Sequence, residues 1–462
     1  MPGSWVGLGF GRRLAALTLG LLLGGCAVHE YRPAPLDGSQ TAAVLIERNL
    51  DHAGLRDFLA RHGQAPAAWP PEDWTLGMLT LAAMYFHPEI AVARAEWRAA
   101  RAAEITAGRR RDPDIAPLVE YHSDEAVGED GPWAIGIAVD IPLITGDIRA
   151  ARLDRARARA EALRLGIGEV AWRVRAGLRD QFVASHGAER AARLWRQALD
   201  ARQEAAALLD ARFALGETSS FEARRARTRL DEARLALAAA DGRVATARAG
   251  LAGALGVPVA AIDGLVFDYG ALTMIEPEHL MVPEIRRAAL GNRLDVRVAL
   301  ARYATAEAAL RVAVERQYPD VVLSPGLLWD QGDLVWSLGS AVLAPLFDRH
   351  RGPIAEAEAA RALVAAQFTA LQGHALAEVG RSVAAYRAEA DAYRTARDAR
   401  DAARRQYDQA ARQVAQGESN RMDAVQARIE LLAAEQRLLG KRLDVLNAWG
   451  SVENAVQRPL DG

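Results

Sequence analysis

The stretch Pro345-Leu346-Phe347-Asp348-Arg349-His350-Arg351-Gly352-Pro353-Ile354-Ala355-Glu356-Ala357-Glu358-Ala359-Ala360-Arg361 marks a change of period. Before it, from Leu334, apolar residues alternate as in a strand; after it they recur at helical spacing for dozens of residues. Pro142-Leu143-Ile144-Thr145-Gly146-Asp147-Ile148-Arg149 makes the same change. A chain that twice turns a pair of short strands into a very long helix is built from two copies of one unit.

The copies align in order. Pro88-Glu89-Ile90-Ala91-Val92 matches Leu294-Asp295-Val296-Arg297-Val298, and Pro113-Asp114-Ile115 matches Pro319-Asp320-Val321. Pro142-Leu143-Ile144 matches Pro345-Leu346-Phe347, and Gly216-Glu217-Thr218 matches Gly417-Glu418-Ser419. Each unit reads helix, strand, strand, long helix, turn, helix. The helical pattern from Ile148 to about Leu215 spans about 67 residues, or about 100 Å at 1.5 Å per residue. Its copy runs from about Pro353 to Gln416. Shorter helices are expected over Leu76–Arg111, from Gly216 to about Leu255, over Glu284–Gln317 and over Glu418–Gln457, so each long helix can lie beside two short ones placed end to end. Ala is abundant along them, and small side chains let helices approach closely.

In the second strand Trp133, Ile135, Ile137, Val139 and Ile141 share one face, against Ala134, Gly136, Ala138 and Asp140. In the fourth, Leu334, Trp336, Leu338 and Val342 oppose Ser337, Gly339 and Ala341. Strands of about 10 residues with terminal aromatics fit a transmembrane barrel. A soluble sandwich shows the same alternation; the N-terminus and the adjoining long helices tip the balance toward the barrel. Arg12-Arg13, an apolar run Leu14–Leu23, and Leu23-Gly24-Gly25-Cys26 read as a secretory signal, residues 1–25. Its end resembles a bacterial lipobox, in which Cys26 carries the lipid; a plain signal with a chance cysteine is the alternative. Cys26 is the only cysteine, which excludes a disulfide framework and a thiolate metal cluster. No later segment reads as a membrane-spanning helix, so a membrane crossing requires a barrel. Four strands cannot close one, whereas three copies supply 12.

The remaining segments follow: residues 26–75 a Pro-rich periplasmic segment with a short helix near Leu45–Arg61, 76–256 the first repeat, 257–282 a link with room for a small side domain, 283–457 the second repeat, and 458–462 a tail. The formal net charge of −2 in 462 residues implies no nucleic-acid partner. No P-loop, dinucleotide turn or His-Glu-x-x-His is present, and the nine histidines lack metal-ligand spacing. No enzyme, metal site or cofactor beyond the Cys26 lipid is expected. The fold class is mainly α with a small β part: long coiled-coil helices plus four transmembrane strands, trimerising into a barrel and helical tunnel.

From Leu76 onward these features resemble the TolC-like outer-membrane efflux proteins. Pro345 to Ala357 resembles the cation-efflux branch, of cobalt-zinc-cadmium and copper-silver type; Pro113-Asp114-Ile115 and Arg293-Leu294-Asp295-Val296 are similarly family-like. The resemblance implies a homotrimeric exit duct in the outer membrane, joined to a periplasmic adaptor and to an inner-membrane transporter of the resistance-nodulation-division type. It implies adaptor contact at the tips, Phe213, Gly216, Glu217, Thr218, Gly417, Glu418 and Ser419. It also implies an aperture lined by Glu222 and Asp423, with Gln426 where a second acid can occur and Val414 where the family often has Tyr. Plain turn chemistry and solvated helical acids are the alternative readings of these residues. For the whole chain the alternatives are a drug channel, a periplasmic adaptor with one hairpin, and a coiled-coil scaffold lipoprotein.

Overall fold

The structure, a computed structural model, describes residues 30–123, 131–143, 146–273, 285, 287, 289, 291–330, 332–343 and 348–460. Cys26, Pro345 and the loop residues 127–130 lie outside them. Residues up to Glu47 form one unit, which holds helix α1 (Gly38–Ile46); its cap Asp37 accepts from Ser39 N at 2.8 Å. The second unit, from Arg48, contains everything below.

Its elements are α2 (Ala53–Arg61), β1 (Asp73–Thr75), α3 (Leu76–Phe86), α4 (Pro88–Ala107), β2 (Asp114–Tyr121), β3 (Trp133–Leu143), α5 (Ile148–Ala214), α6 (Ser220–Leu255), β4 (Val266–Asp268), α7 (Leu294–Glu315), β5 (Asp320–Asp330), β6 (Asp333–Leu343), α8 (Arg351–Ala415) and α9 (Arg421–Val456). The long helices have 67 and 65 residues, and the return helices 36 each. Three expectations are corrected. The helix expected over Glu284–Gln317 breaks at Arg293, the cap of α7, which runs from Leu294 to Glu315. Leu76–Arg111 is two helices bent by 50° at His87, because Pro88 excludes the helical conformation from the residue before it. The helix expected near Leu45–Arg61 is also two pieces, with His52 capping the second through Gly54 N.

Antiparallel β2, β3, β5 and β6 form one sheet in that order, leaving β2 and β6 as edges. The helices keep the same lateral order. On the strand side α5 packs between α4 and α7, and α7 against α8; on the tip side α5 packs between α6 and α9, and α9 against α8. Each strand therefore continues into its own wall helix. The junctions are stitched across neighbours: Asp147 N donates to Glu315 Oε2 at 2.9 Å, and Arg149 Nε to the Gly108 carbonyl at 2.7 Å. Arg311 pairs with Asp154 at 2.9 Å and Arg111 with Asp320 at 3.2 Å. Gly146 turns the chain with φ 73°; in the second repeat Arg349 and His350 take the left-handed region, φ 47° and 55°.

The link after Val257 forms only part of the side domain. Its β4 pairs in parallel with β1, Trp74 opposite Phe267, a partnership local periodicity does not reveal. Trp74, Leu55, Leu59, Leu79, Ile262 and Leu272 then form a core with Leu178 and Phe182 of α5 and Leu251 and Leu255 of α6. No single described helix is long and apolar enough to cross a membrane; the bent α3–α4 pair passes by composition, but Leu79, Ala82, Ala83 and Ile90 on it are buried within the protein.

A further core seals the two repeats to each other. Ala201 of α5 meets Val425, Ile429 and Leu432 of α9. Higher up, Arg179 of α5 and Glu453 of α9 are 4% and 2% exposed and lie 3.2 Å apart. Arg293, nearly buried before α7, pairs with Asp295 and Glu378, both at 2.7 Å, and donates to the Ala455 carbonyl at 2.9 Å. Gln457 supplies its side-chain oxygen to the first amide of α7, Leu294 N, at 2.7 Å.

Candidate functional site: hairpin tips and apolar sheet

Both long helices end in the same motif. Gly216 N bonds the Phe213 carbonyl at 3.0 Å and Glu217 N the Arg212 carbonyl at 2.8 Å. Gly417 N bonds Val414 at 3.1 Å and Glu418 N bonds Gln413 at 2.9 Å. This is a Schellman closure, which needs a left-handed residue one past the cap; Gly216 and Gly417 have φ 73° and 75°. The return helices start on Ser219 and Asn420, whose side chains accept from Glu222 N at 3.2 Å and Asp423 N at 3.1 Å.

The two acids complete these caps. Thr218 donates its hydroxyl to Glu222, and Ser419 donates to Asp423 at 2.5 Å. The Thr218 hydroxyl, and then the backbone bond to Ser219, hold the Glu222 carboxyl below the usual carboxylate range. Both carboxylates are thus fixed at helix N-termini, where negative charge is favoured. Gln426 donates to Glu430 at 3.1 Å. Asp423, Gln426 and Glu430 form one exposed strip of α9, beside buried Val425 and Ile429. Glu430 was missed by reading only the residues nearest the turn, although its spacing of i+7 from Asp423 was legible.

The repeats diverge here. Counted from the tip glycine, Gln426 and Glu430 correspond to Arg225 and Arg229 on α6. The first tip also exposes Phe213, Leu215 and Phe221, whereas no large apolar residue is exposed among the described residues of the second tip. The second tip is anchored instead: Arg421, the first residue of α9, pairs with Glu204 of α5 at 2.7 Å. Gly216, Glu217, Gly417 and Glu418 are exposed, and Thr218 and Ser419 half-buried.

At the other end, the register sets one face of the sheet. Ile135 lies opposite Val119 and Trp329, and Trp336 opposite Leu327. Trp133, Ile135, Ile137, Leu334, Trp336 and Leu338 are all exposed on that face, with Trp336 at 77%; Val139 is half-buried. The other face mixes small and polar residues with Leu118, Leu328 and Val335, and there Ser324 donates to Asp140. Tyr121 and Trp133 pack edge to face at the loop end, ring centroids 4.9 Å apart. At about 3.3 Å per residue, the 11-residue strands β3 and β6 are about 36 Å long, enough to cross a bilayer core when tilted. Among the described residues no group of three or more His, Cys, Asp or Glu is placed to hold a metal ion.

The protein-family model described as outer membrane efflux protein matches residues 83–257 and 285–456, one segment for each repeat. No curated protein matches the sequence. Among solved structures, the outer membrane protein VceC from Vibrio cholerae is 18% identical, with TM-score 0.67, covering 84% of this chain and 97% of VceC. The outer-membrane channel OprN is 19% identical with TM-score 0.66, covering 94% and 99%. CusC, described with its transmembrane channel formation, is 15% identical with TM-score 0.66, covering 83% and 92%. These likenesses concern the fold: mostly helical, with a small sheet. The chain belongs to the outer membrane efflux protein family.

Proposed function

We propose that this chain is the outer-membrane exit duct of a tripartite efflux pump, a passive channel and not an enzyme. The observation that carries the reading is the open four-stranded sheet with one apolar face, continued strand by strand into wall helices. In lipid the free backbone groups of β2 and β6 must be paired. Three copies in a ring supply 12 strands, turn Trp133, Ile135, Ile137, Val139, Leu334, Trp336 and Leu338 toward lipid, and extend the helices through the periplasm. Lipid on Cys26 would anchor each copy.

The tips Phe213–Thr218 and Gly417–Ser419 would meet a periplasmic adaptor, itself joined to an inner-membrane transporter of the resistance-nodulation-division type. Repeated by threefold symmetry, Asp423 and Glu430, with Gln426 between them, give rings of negative charge at the aperture, suited to passing cations. Glu222 contributes less, because Arg225 and Arg229 share its strip. The substrate reading is heavy-metal cations, resting on the likeness of residues 345–357 to metal exporters; drugs and other organic compounds are the second reading.

Ionic conductance of the purified protein in planar bilayers tests the duct. Absence of conductance from a protein that extracts with the outer membrane would overturn it. A deletion strain challenged with zinc, cobalt, cadmium, copper, silver and organic drugs separates the two substrate readings.

A further inference from the structure

Between α5, α8 and α9 lies a cavity of about 570 Å³. The middle helix is α9, which packs against both of the others. Arg190 and Arg193 line the cavity from α5, Arg397 and Arg400 from α8, and Arg442 from α9. The members of each pair are three residues apart and so share a helix face. Leu438, Leu439 and Leu446 of α9 and Leu194 of α5 add an apolar lining, and Leu272 of the link joins them.

Acids do not balance these cations. Glu435 is the one acid in the lining, and Arg404, from outside the cavity, already holds that carboxylate at 2.8 Å. Among the described residues no acid pairs with Arg190 or Arg193. Arg397 lies 3.7 Å from Asp398 and Arg400 2.9 Å from Asp401, each the next residue on its own helix. The Arg400 Nε is buried and makes no hydrogen bond, and the same holds for Nδ1 of His186, another lining group. Arg442 is fixed in place: it donates to the Leu272 carbonyl at 2.9 Å and lies 5.6 Å from the centre of the Tyr393 ring. His186 registers the excess of charge. Burial first, and then Arg190, Arg193 and Arg442, push its pKa down to about 4, so it adds no charge at neutral pH. The lining carries five positive charges and one negative, in a chain of net charge −2.

The duplicated wall does not impose this pattern. Counted from the tip glycines Gly216 and Gly417, Arg190 corresponds to Asp391 and Arg442 to Asp241. Both of those acids are paired, Asp391 with Arg394 and Asp241 with Arg196 at 2.6 Å. The same architecture thus accepts acids at two places where this cavity has arginines.

The geometry points to a binding site for a soluble organic anion, with an apolar body and two or more carboxylate, sulfonate or phosphate groups. The planar fork of arginine suits such oxygens, and a cleft lined by one sign of charge concentrates ions of the other. Guanidinium groups on two flanking helices call for acid groups at separate ends of the ligand, and the leucines between them for an apolar middle. The volume lies within the range of about 300–1,000 Å³ typical of pockets for small organic molecules, and a bare inorganic anion would not fill it. A lipid headgroup is not the source. Arg190 lies about 63 Å along α5 from Ile148, at 1.5 Å per residue, far from the sheet. A ligand held here ties α5 to α8 across α9, whatever the duct carries.

Isothermal titration calorimetry of the full-length protein in nonionic detergent at low salt tests the site. The probe is pamoate, a dianion with a carboxylate on each of two linked naphthalene rings. One pamoate per chain is expected to bind, and inorganic sulfate far more weakly. R193Q/R397Q should weaken pamoate binding by about tenfold or more. R394Q/R437Q removes the same charge outside the cavity and should leave affinity within about twofold, because exposed distant charges are screened. Absence of binding to the folded protein, or equal affinity in R193Q/R397Q, would overturn the site; sulfate binding as tightly as pamoate would overturn the organic class. Should R193Q/R397Q misfold, the unaltered protein decides. Pamoate should shield Arg193 and Arg397 from phenylglyoxal, read by peptide mass spectrometry, while Arg394 and Arg437 react as before. Unchanged reaction at all four would also overturn the site.

Discussion

Replacing Glu453 by Gln tests what holds the two repeats together. The Glu453 carboxylate lies 3.2 Å from Arg179 and 3.6 Å from Arg175, and its other oxygen accepts Leu460 N at 3.2 Å. At an effective dielectric of about 20, charges 3.2 Å apart attract by about 5 kcal/mol. The cost of burying both ions offsets much of this. Glu453→Gln keeps the shape and removes the carboxylate charge beside Arg179, which is 4% exposed and also donates to the Leu446 carbonyl at 3.0 Å. Orphaning one member of a buried pair costs about 3–5 kcal/mol, whereas replacing both by apolar residues of similar volume is often neutral or stabilising. E453Q should therefore lose about 3–5 kcal/mol, and R179M/E453Q much less than E453Q and R179M summed. Urea unfolding followed by helical circular dichroism, at one protein and detergent concentration, measures all four proteins. A loss under about 1 kcal/mol for E453Q, or additivity in the cycle, would refute a buried pair that is desolvated and coupled.

Other outcomes follow from single features. Burial first, and then Arg190, Arg193 and Arg442, push the His186 pKa down from 6.5 to about 4. The unfolded chain then binds more protons between those values, so stability should fall as pH drops through that window; thermal midpoints of H186Q should show a shallower acid slope. Gly417→Ala forces a side chain into a left-handed position and should cost about 1–2 kcal/mol locally, read as faster protease cleavage at the second tip with wall helices intact. Leu338→Arg places a charge on the exposed apolar face and should lower outer-membrane insertion by about 2–4 kcal/mol, while Gly339→Ser on the opposite face should not; equal amounts of the two in the membrane fraction would count against a lipid-facing surface. D423A/E430Q should reduce cation preference in bilayer recordings, and unchanged selectivity would reject the charged-ring reading.

Much of this architecture is written in local periodicity. The alternation at Trp133–Leu143 and Asp333–Leu343 and the long runs after Ile148 and Arg351 are near-neighbour patterns, and the two tip glycines are placed by backbone sterics alone. The repeat made the unit legible twice. Pairing between distant segments was not. Nothing near Trp74 announces Phe267 as its partner, because a three-residue strand has too short a pattern to select a register. Glu453 reads as one more surface acid until α9 folds against α5 and removes it from water. The sequence by itself determined the elements, their duplication and their order along the chain, since each depends on residues within a few positions. Tertiary structure decided which acids are buried, which cap their own helices and which remain on a free face beside Gln426, because burial and register depend on what other segments bring to the same place.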